Sequence, residues 1–171
     1  MLDYKQYDAL GLAELIRKKE VTPAEVHEAA IREIEHKNDK LNAVIYKMYD
    51  QSQKELATQQ TGIFTGVPFL AKNIGQEVKG QPMTEGSKSL ADFKASEDSE
   101  FIRQLRETGV SILGITNVPE FALMGVTEPA LYGPSRNPWN VDHTPGGSSG
   151  GASAAVASGM VPIAGANDGG G

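Results

Sequence analysis

Glycine constrains this chain more than any other residue. Nine of the 19 glycines fall between Gly146 and Gly171, in two clusters divided by an apolar stretch. Residues 145–151 read PGGSSGG and run straight into ASAAVASG; residues 160–166 read MVPIAGA and run into NDGGG. Glycine loses more conformational freedom on folding than any other residue, so such density marks backbone that must turn tightly or approach another group closely. An Ala-rich helix ending at Gly159 and a strand over MVPIAGA separate the two clusters. Both are therefore loops anchored on regular structure.

The rest of the chain alternates in a way that supports this. In VTPAEVHEAAIREIEHKN, Thr22 is placed to cap a helix, Pro23 occupies its first position and Glu25 stands three residues after the cap. Val26, Ala29, Ala30 and Ile34 then share one face, and Lys37 and Asn38 are expected to end the helix. LNAVIYKM reads as a short strand, and YDQSQKELATQQ as a polar helix. GVPFLAKNI is a strand bounded by Gly66. SEFIRQLRETG is a helix capped by Asp98 or Ser99 and stopped by Gly109, VSILGITN is a strand, and PEFALMG is expected to start another helix. Strand, helix and strand at this rhythm predict an α/β layer fold.

Composition closes off several classes of function. The net charge is −6 and the basic residues are scattered, which argues against a direct nucleic-acid partner. There are no cysteines, and His27, His36 and His143 show no metal-ligand spacing, so no metal is expected. No stretch has the length of a membrane span, so no membrane partner is expected. The first residues contain no signal-like apolar segment before charges intervene, and the expected location is the cytoplasm.

Three segments can carry chemistry. PGGSSGG has the composition of a flexible linker, but apolar helix and strand follow at once and Pro145 stiffens the approach. It is a poor phosphate cradle, because no Lys or Arg occurs from Asn137 to Gly171. The remaining reading is a loop presenting Ser148 or Ser149 as a reacting or relaying hydroxyl. Lys72 ends the apolar run of Val67, Phe69, Leu70 and Ala71; burial there would disfavour its ammonium and make a neutral amine available as a base. GANDGGG reads either as a surface turn or as a strand-to-helix turn whose amides face a cavity. Amides of that kind can hold a developing oxyanion, each worth about 3 kcal/mol of barrier.

Taken in order, GVPFLAKN, GITNVPEFALMG, YGPSRNPWN, TPGGSSGGASAAVASG and VPIAGANDGGG resemble the amidase signature family over Gly66 to Gly171. The resemblance implies an α/β/α fold with a mixed central sheet. Residues 1–60 would be mainly helical and residues 61–171 the α/β core, together the incomplete N-terminal portion of a single amidase domain. It also implies hydrolysis of amide C–N bonds by a Ser–cisSer–Lys triad. Lys72 matches the catalytic lysine, and Ser148 the bridging serine, which follows a cis peptide at Gly147–Ser148. Ser149 is supportive, and Gly169, Gly170 and Gly171 match the oxyanion and substrate-binding loop. The family's nucleophile is a serine directly after those glycines, so these 171 residues alone are expected to be inactive. No cofactor is implied; the implied partner is a small-molecule amide, and a homo-oligomer stays open.

Two departures bear on the choice within the family. The familiar GKTN reads GITN with Ile115, and Pro119 precedes Glu120. This wording is nearer to stand-alone amidases than to the A subunit of the tRNA-dependent amidotransferase, a glutaminase that remains the alternative. A non-enzyme alternative is an anion-binding domain that uses the glycine loops as a nest.

Overall fold

Thr22 accepts the Glu25 N–H, and the Glu25 carboxylate returns a bond to the Thr22 N–H at 2.8 Å, a complete capping box. The box starts helix α2 (Pro23–Leu41), the longest element of the computed structural model, which describes residues 2–57 and 61–169. Such a cap contributes about 1 kcal/mol. Val26, Ala29, Ala30 and Ile34 are all buried, as their spacing predicts. The helix does not stop at Lys37 and Asn38. It runs to Leu41 and ends at Asn42, whose backbone is left-handed at φ 46°, ψ 42°. The reason lies in Asn38: its Oδ1 accepts from Ala43 and Val44 N–H and its Nδ2 donates to Val44 O, so it secures the chain leaving the helix. Ahead of α2, Asp8 caps α1 (Ala9–Arg17) by accepting the Gly11 N–H at 2.7 Å.

Four strands form one mixed sheet in the order β1–β3–β2–β4. The edge strand β1 (Val44–Lys47) runs antiparallel to β3 (Ser111–Thr116), β3 runs parallel to β2 (Pro68–Lys72), and β2 runs parallel to β4 (Ile163–Ala164). Every residue of β2 and β3 is buried, as central parallel strands covered on both faces require. On one face, Leu70 and Leu113 pack with Leu12, Val26, Ile34 and Ala154, placing α1, α2 and α5 (Gly150–Ala157) there. On the other face, Phe69, Ala71, Ile112 and Ile115 pack with Ile102 of α4 (Glu100–Glu107) and with Met48, which precedes α3 (Tyr49–Leu56). The expected α/β/α layering is thus present. Ser99, one of two expected caps for α4, accepts from Ile102 N–H. No helix among the described residues is long and apolar enough to cross a membrane.

Two expected elements differ. PEFALMG forms a single 3-10 turn (Glu120–Ala122) instead of a helix start, with Phe121 and Ala122 left-handed at φ 51° and 55°. The Phe121 N–H donates to Glu85 O at 2.8 Å and the Glu120 carboxylate accepts from the Ser87 hydroxyl at 2.6 Å, so the turn is tied to a neighbouring loop, and the two left-handed residues break the right-handed run that a helix needs. The strand over MVPIAGA shrinks to Ile163–Ala164, because Pro162 has no N–H to give to a ladder.

A close approach fixes the end of β2. A Cβ added at Gly165 would lie 1.8 Å from Gln76 Oε1, and that same oxygen accepts the backbone N–H of Lys72 at 2.8 Å. Gly165 N–H in turn bonds to Leu70 O at 2.8 Å, so β4, β2 and Gln76 lock one another.

Two tests follow from this packing. Gly165→Ala should cost about 1–3 kcal/mol in chemical denaturation, and most of that cost should vanish in a Gln76→Ala background; fully additive costs would show that the two residues do not compete for space. His27 is buried in α2 with Nε2 2.7 Å from Ser52 Oγ, and burial holds its pKa below the usual histidine value against a smaller opposing pull from Glu28. Its folded-state pKa is depressed, so its stabilising share is present above about pH 6.5 and is lost as pH falls through the folded value. Wild-type stability should therefore drop between pH 7 and pH 5 more steeply than that of His27→Gln, and equal slopes would contradict the assignment.

Candidate active site

Lys72 closes β2 and is the largest fully buried side chain among the described residues, at 0 % exposure. It reaches Ser148 through the topology. Strand β4 runs parallel beside β2, the chain beyond β4 passes over the end of β2, and α5 supplies the glycine–serine loop from its own N-terminal end. Lys72 Nζ lies 2.8 Å from Ser148 Oγ, 2.6 Å from Asn167 Oδ1 and 3.2 Å from Asn167 O. Residues 76 and 95 positions away in sequence thus converge on one amine.

Burial pushes the Lys72 amine below the usual lysine range, and the Asp168 carboxylate partly opposes it. Taking an ammonium out of water disfavours the charged form, and here its surroundings are neutral oxygens with one carboxylate nearby. Burial and the nearby carboxylate thus act on this amine in opposite directions, burial the more strongly.

The serine loop is fixed from several sides. The Gly147–Ser148 peptide is cis. Thr127 Oγ1 donates to Gly146 O at 2.8 Å and so fastens the loop ahead of it. Gly151 permits the next contact: an added Cβ would lie 2.5–2.6 Å from Asn117 N, Asn117 O and Ala43 O, so only glycine lets the start of α5 sit against the ends of β3 and β1. Ser149 does not touch Lys72. Its hydroxyl donates to Asn167 O at 3.2 Å and accepts from Asn167 N–H at 3.4 Å, clasping the two glycine-bearing loops together. Between these loops opens a cleft of about 530 Å³, lined by residues 145–149, Ser153 and residues 166–168. Ser148 and Ser149 face the cleft, while Lys72 lies beneath it.

Of the residues singled out in the sequence, Lys72, Ser148 and Ser149 therefore come together. Gly169 lies at the exposed end of the 165–169 turn, with open space where a Cβ would point. Gly170 and Gly171 lie outside the described residues. Sequence reasoning missed Asn167 and Gln76. Both are polar residues next to glycine or turn segments, where a solvated side chain is the ordinary expectation, and neither spacing nor composition signals a lysine partner. Among the described residues, no cluster of three or more His, Cys, Asp or Glu is placed to hold a metal ion.

The amidase family profile matches residues 25–171. The chain is 45% identical over 171 residues to a lipoamidase of Enterococcus faecalis, covering 99% of this chain and 24% of the relative. It is 40% identical over 161 residues to a glutamyl-tRNA(Gln) amidotransferase protein of Halothermothrix orenii, covering 94% of this chain and 33% of that one. The solved structure of a 6-aminohexanoate cyclic dimer hydrolase superposes with a TM-score of 0.92 at 36% identity, covering 96% of this chain and 34% of its own. The chain thus spans roughly a quarter to a third of the length of these relatives. By the extent of the matching profile and of the shared fold, this chain belongs to the amidase signature family.

Proposed function

We propose that the protein hydrolyses carbon–nitrogen amide bonds, with Lys72 as the base and Ser148 as the relay. The observation that carries this reading is a fully buried lysine amine 2.8 Å from a serine hydroxyl at the edge of an open cleft. The relatives' names, among them a lipoamidase, point to the same bond class. In this scheme the nucleophile is the serine that the family places directly after Gly171. It passes its proton to Ser148 Oγ as Ser148 passes its own to neutral Lys72. The nucleophile oxygen bonds to the amide carbon, and the oxyanion that forms takes hydrogen bonds from backbone amides of Gly169, Gly170 and Gly171, the glycines that match the family's oxyanion loop. The proton returns from Lys72 through Ser148 to the amide nitrogen as the C–N bond breaks, because an amine leaves poorly unless protonated. Water then enters by the same relay and releases the acid. Every proton in this cycle moves between groups of the chain and the substrate, and no cofactor takes part.

An anion nest accounts less well for the same loops. Asp168 lines the cleft, no Lys or Arg occurs from Asn137 to Gly171, and the buried cation-forming group is pushed toward neutrality. Glutamine as the amide, with ammonia as the product, is the reading that the amidotransferase relative supports. It uses the same residues and differs only in substrate.

In the protein extended through the serine after Gly171 and the rest of its fold, Lys72→Ala should lower kcat for an aryl amide by roughly 10²–10⁴-fold, and Ser148→Ala by about a hundredfold or more. Ser148→Ala should keep the wild-type unfolding midpoint within a few degrees, and Lys72→Met, which fills the buried space that Lys72→Ala empties, should show the same loss of turnover as Lys72→Ala. These 171 residues alone should show no labelling by a fluorophosphonate probe. Near-normal turnover by Lys72→Ala would remove Lys72 from the mechanism, and stoichiometric labelling of the 171 residues would place the nucleophile elsewhere. A glutaminase assay run alongside the aryl amide assay separates the two substrate readings.

A further inference from the structure

We infer that Asn167 is a positioning residue that fixes the direction of the Lys72–Ser148 hydrogen bond, through two oxygens that claim the amine's hydrogens. The inference deepens the amidase reading and rests on it for its catalytic meaning. Three oxygens lie within hydrogen-bond distance of Nζ, as many as the positions a tetrahedral nitrogen has besides its carbon: Asn167 Oδ1 at 2.6 Å, Ser148 Oγ at 2.8 Å and Asn167 O at 3.2 Å. The two Asn167 oxygens can only accept, whereas the Ser148 hydroxyl can donate or accept. A neutral amine has two hydrogens and one lone pair. With both hydrogens directed to Asn167, the lone pair faces Ser148, and the serine must donate. That is the orientation in which Ser148 can lose its proton to Lys72.

Asn167 cannot satisfy its surroundings the other way round. Its Nδ2 donates to Ile74 O at 3.0 Å, so a flipped amide would set oxygen against oxygen there and nitrogen against the amine. Ser149 holds the same residue by its main chain, donating to Asn167 O and accepting from Asn167 N–H. All four polar atoms of Asn167 are thus engaged, and two of them meet Lys72. The same two oxygens favour the ammonium and so offset part of the burial penalty. Asp168 is the charged group that acts on this amine from the turn, while Ser148 and Ser149 on the opposing loop carry no charge. The identity of residue 167 therefore governs both the direction of the bond and the pH at which the lone pair becomes available.

The test reads Lys72 itself. The chain is prepared with 13Cε-labelled lysine, the Lys72 signal is assigned with Lys72→Met, and its pH titration is compared in wild type, Asn167→Leu and Asn167→Asp. Loss of the acceptor in Asn167→Leu should move the titration to lower pH, and the carboxylate in Asn167→Asp should move it to higher pH. In hydrolysis by the extended protein, Asn167→Asp should regain rate as pH is raised, whereas a role in loop packing alone gives a loss that does not change with pH. A Lys72 midpoint that is the same in all three proteins would overturn the inference. Should Asn167→Leu disturb the turn, the isosteric Asn167→Asp decides alone. The titration needs no substrate, so displaced midpoints without hydrolysis would leave the coupling standing while the amidase reading fell.

Discussion

Removal of one lysine amine from water organises this structure. Lys72 sits at the carboxyl end of β2, a strand buried on both faces, and its side chain is wholly shielded from solvent. In water an amine is almost wholly protonated at neutral pH. Here burial works against the charge, the Asp168 carboxylate partly opposes that shift, and three oxygens lie within hydrogen-bond distance of the amine. In the proposed mechanism this amine is the base, and a substrate in the cleft reaches it only through the Ser148 hydroxyl.

The fold supplies this arrangement by stacking constraints that are each simple. Strand β2 is held in parallel register with β3 and β4, which fixes where Lys72 emerges. Gln76 and Gly165 interlock across that point and tie the backbone of Lys72 to the strand that leads to Asn167. The small residues that begin α5 let its N-terminal end press against β3 and β1, which carries Ser148 to the amine. Ser149 then joins the two loops. Each constraint acts on a different part of the site, and together they bring three distant segments to one nitrogen.

Much of this is legible in the sequence. The capping box around Thr22, the apolar face of α2, the helix capped by Ser99 and the uninterrupted apolar runs of β2 and β3 are local signals, and the chain obeys them. The juxtaposition of Lys72 with Ser148 follows from motif order combined with family resemblance; spacing alone leaves it unstated. What local reasoning misses is decided by tertiary contact. Phe121 and Ala122 are left-handed where a helix would need right-handed backbone, and the turn they make is tied to the neighbouring loop through Phe121 N–H and Glu85 O. Helix α2 outruns Asn38 because that side chain serves the backbone beyond it. Asn167 looks like an ordinary turn residue until β4 places it over the amine, and no periodicity encodes that placement.

The distribution of protons at Lys72 is the most direct test of this account. Neutron diffraction from a deuterium-exchanged crystal at neutral pH would locate them. The account expects two deuterons on Lys72 Nζ, directed at Asn167 Oδ1 and Asn167 O, and one on Ser148 Oγ directed at Nζ. Three deuterons on Nζ, with the Ser148 deuteron turned away from the amine, would contradict it.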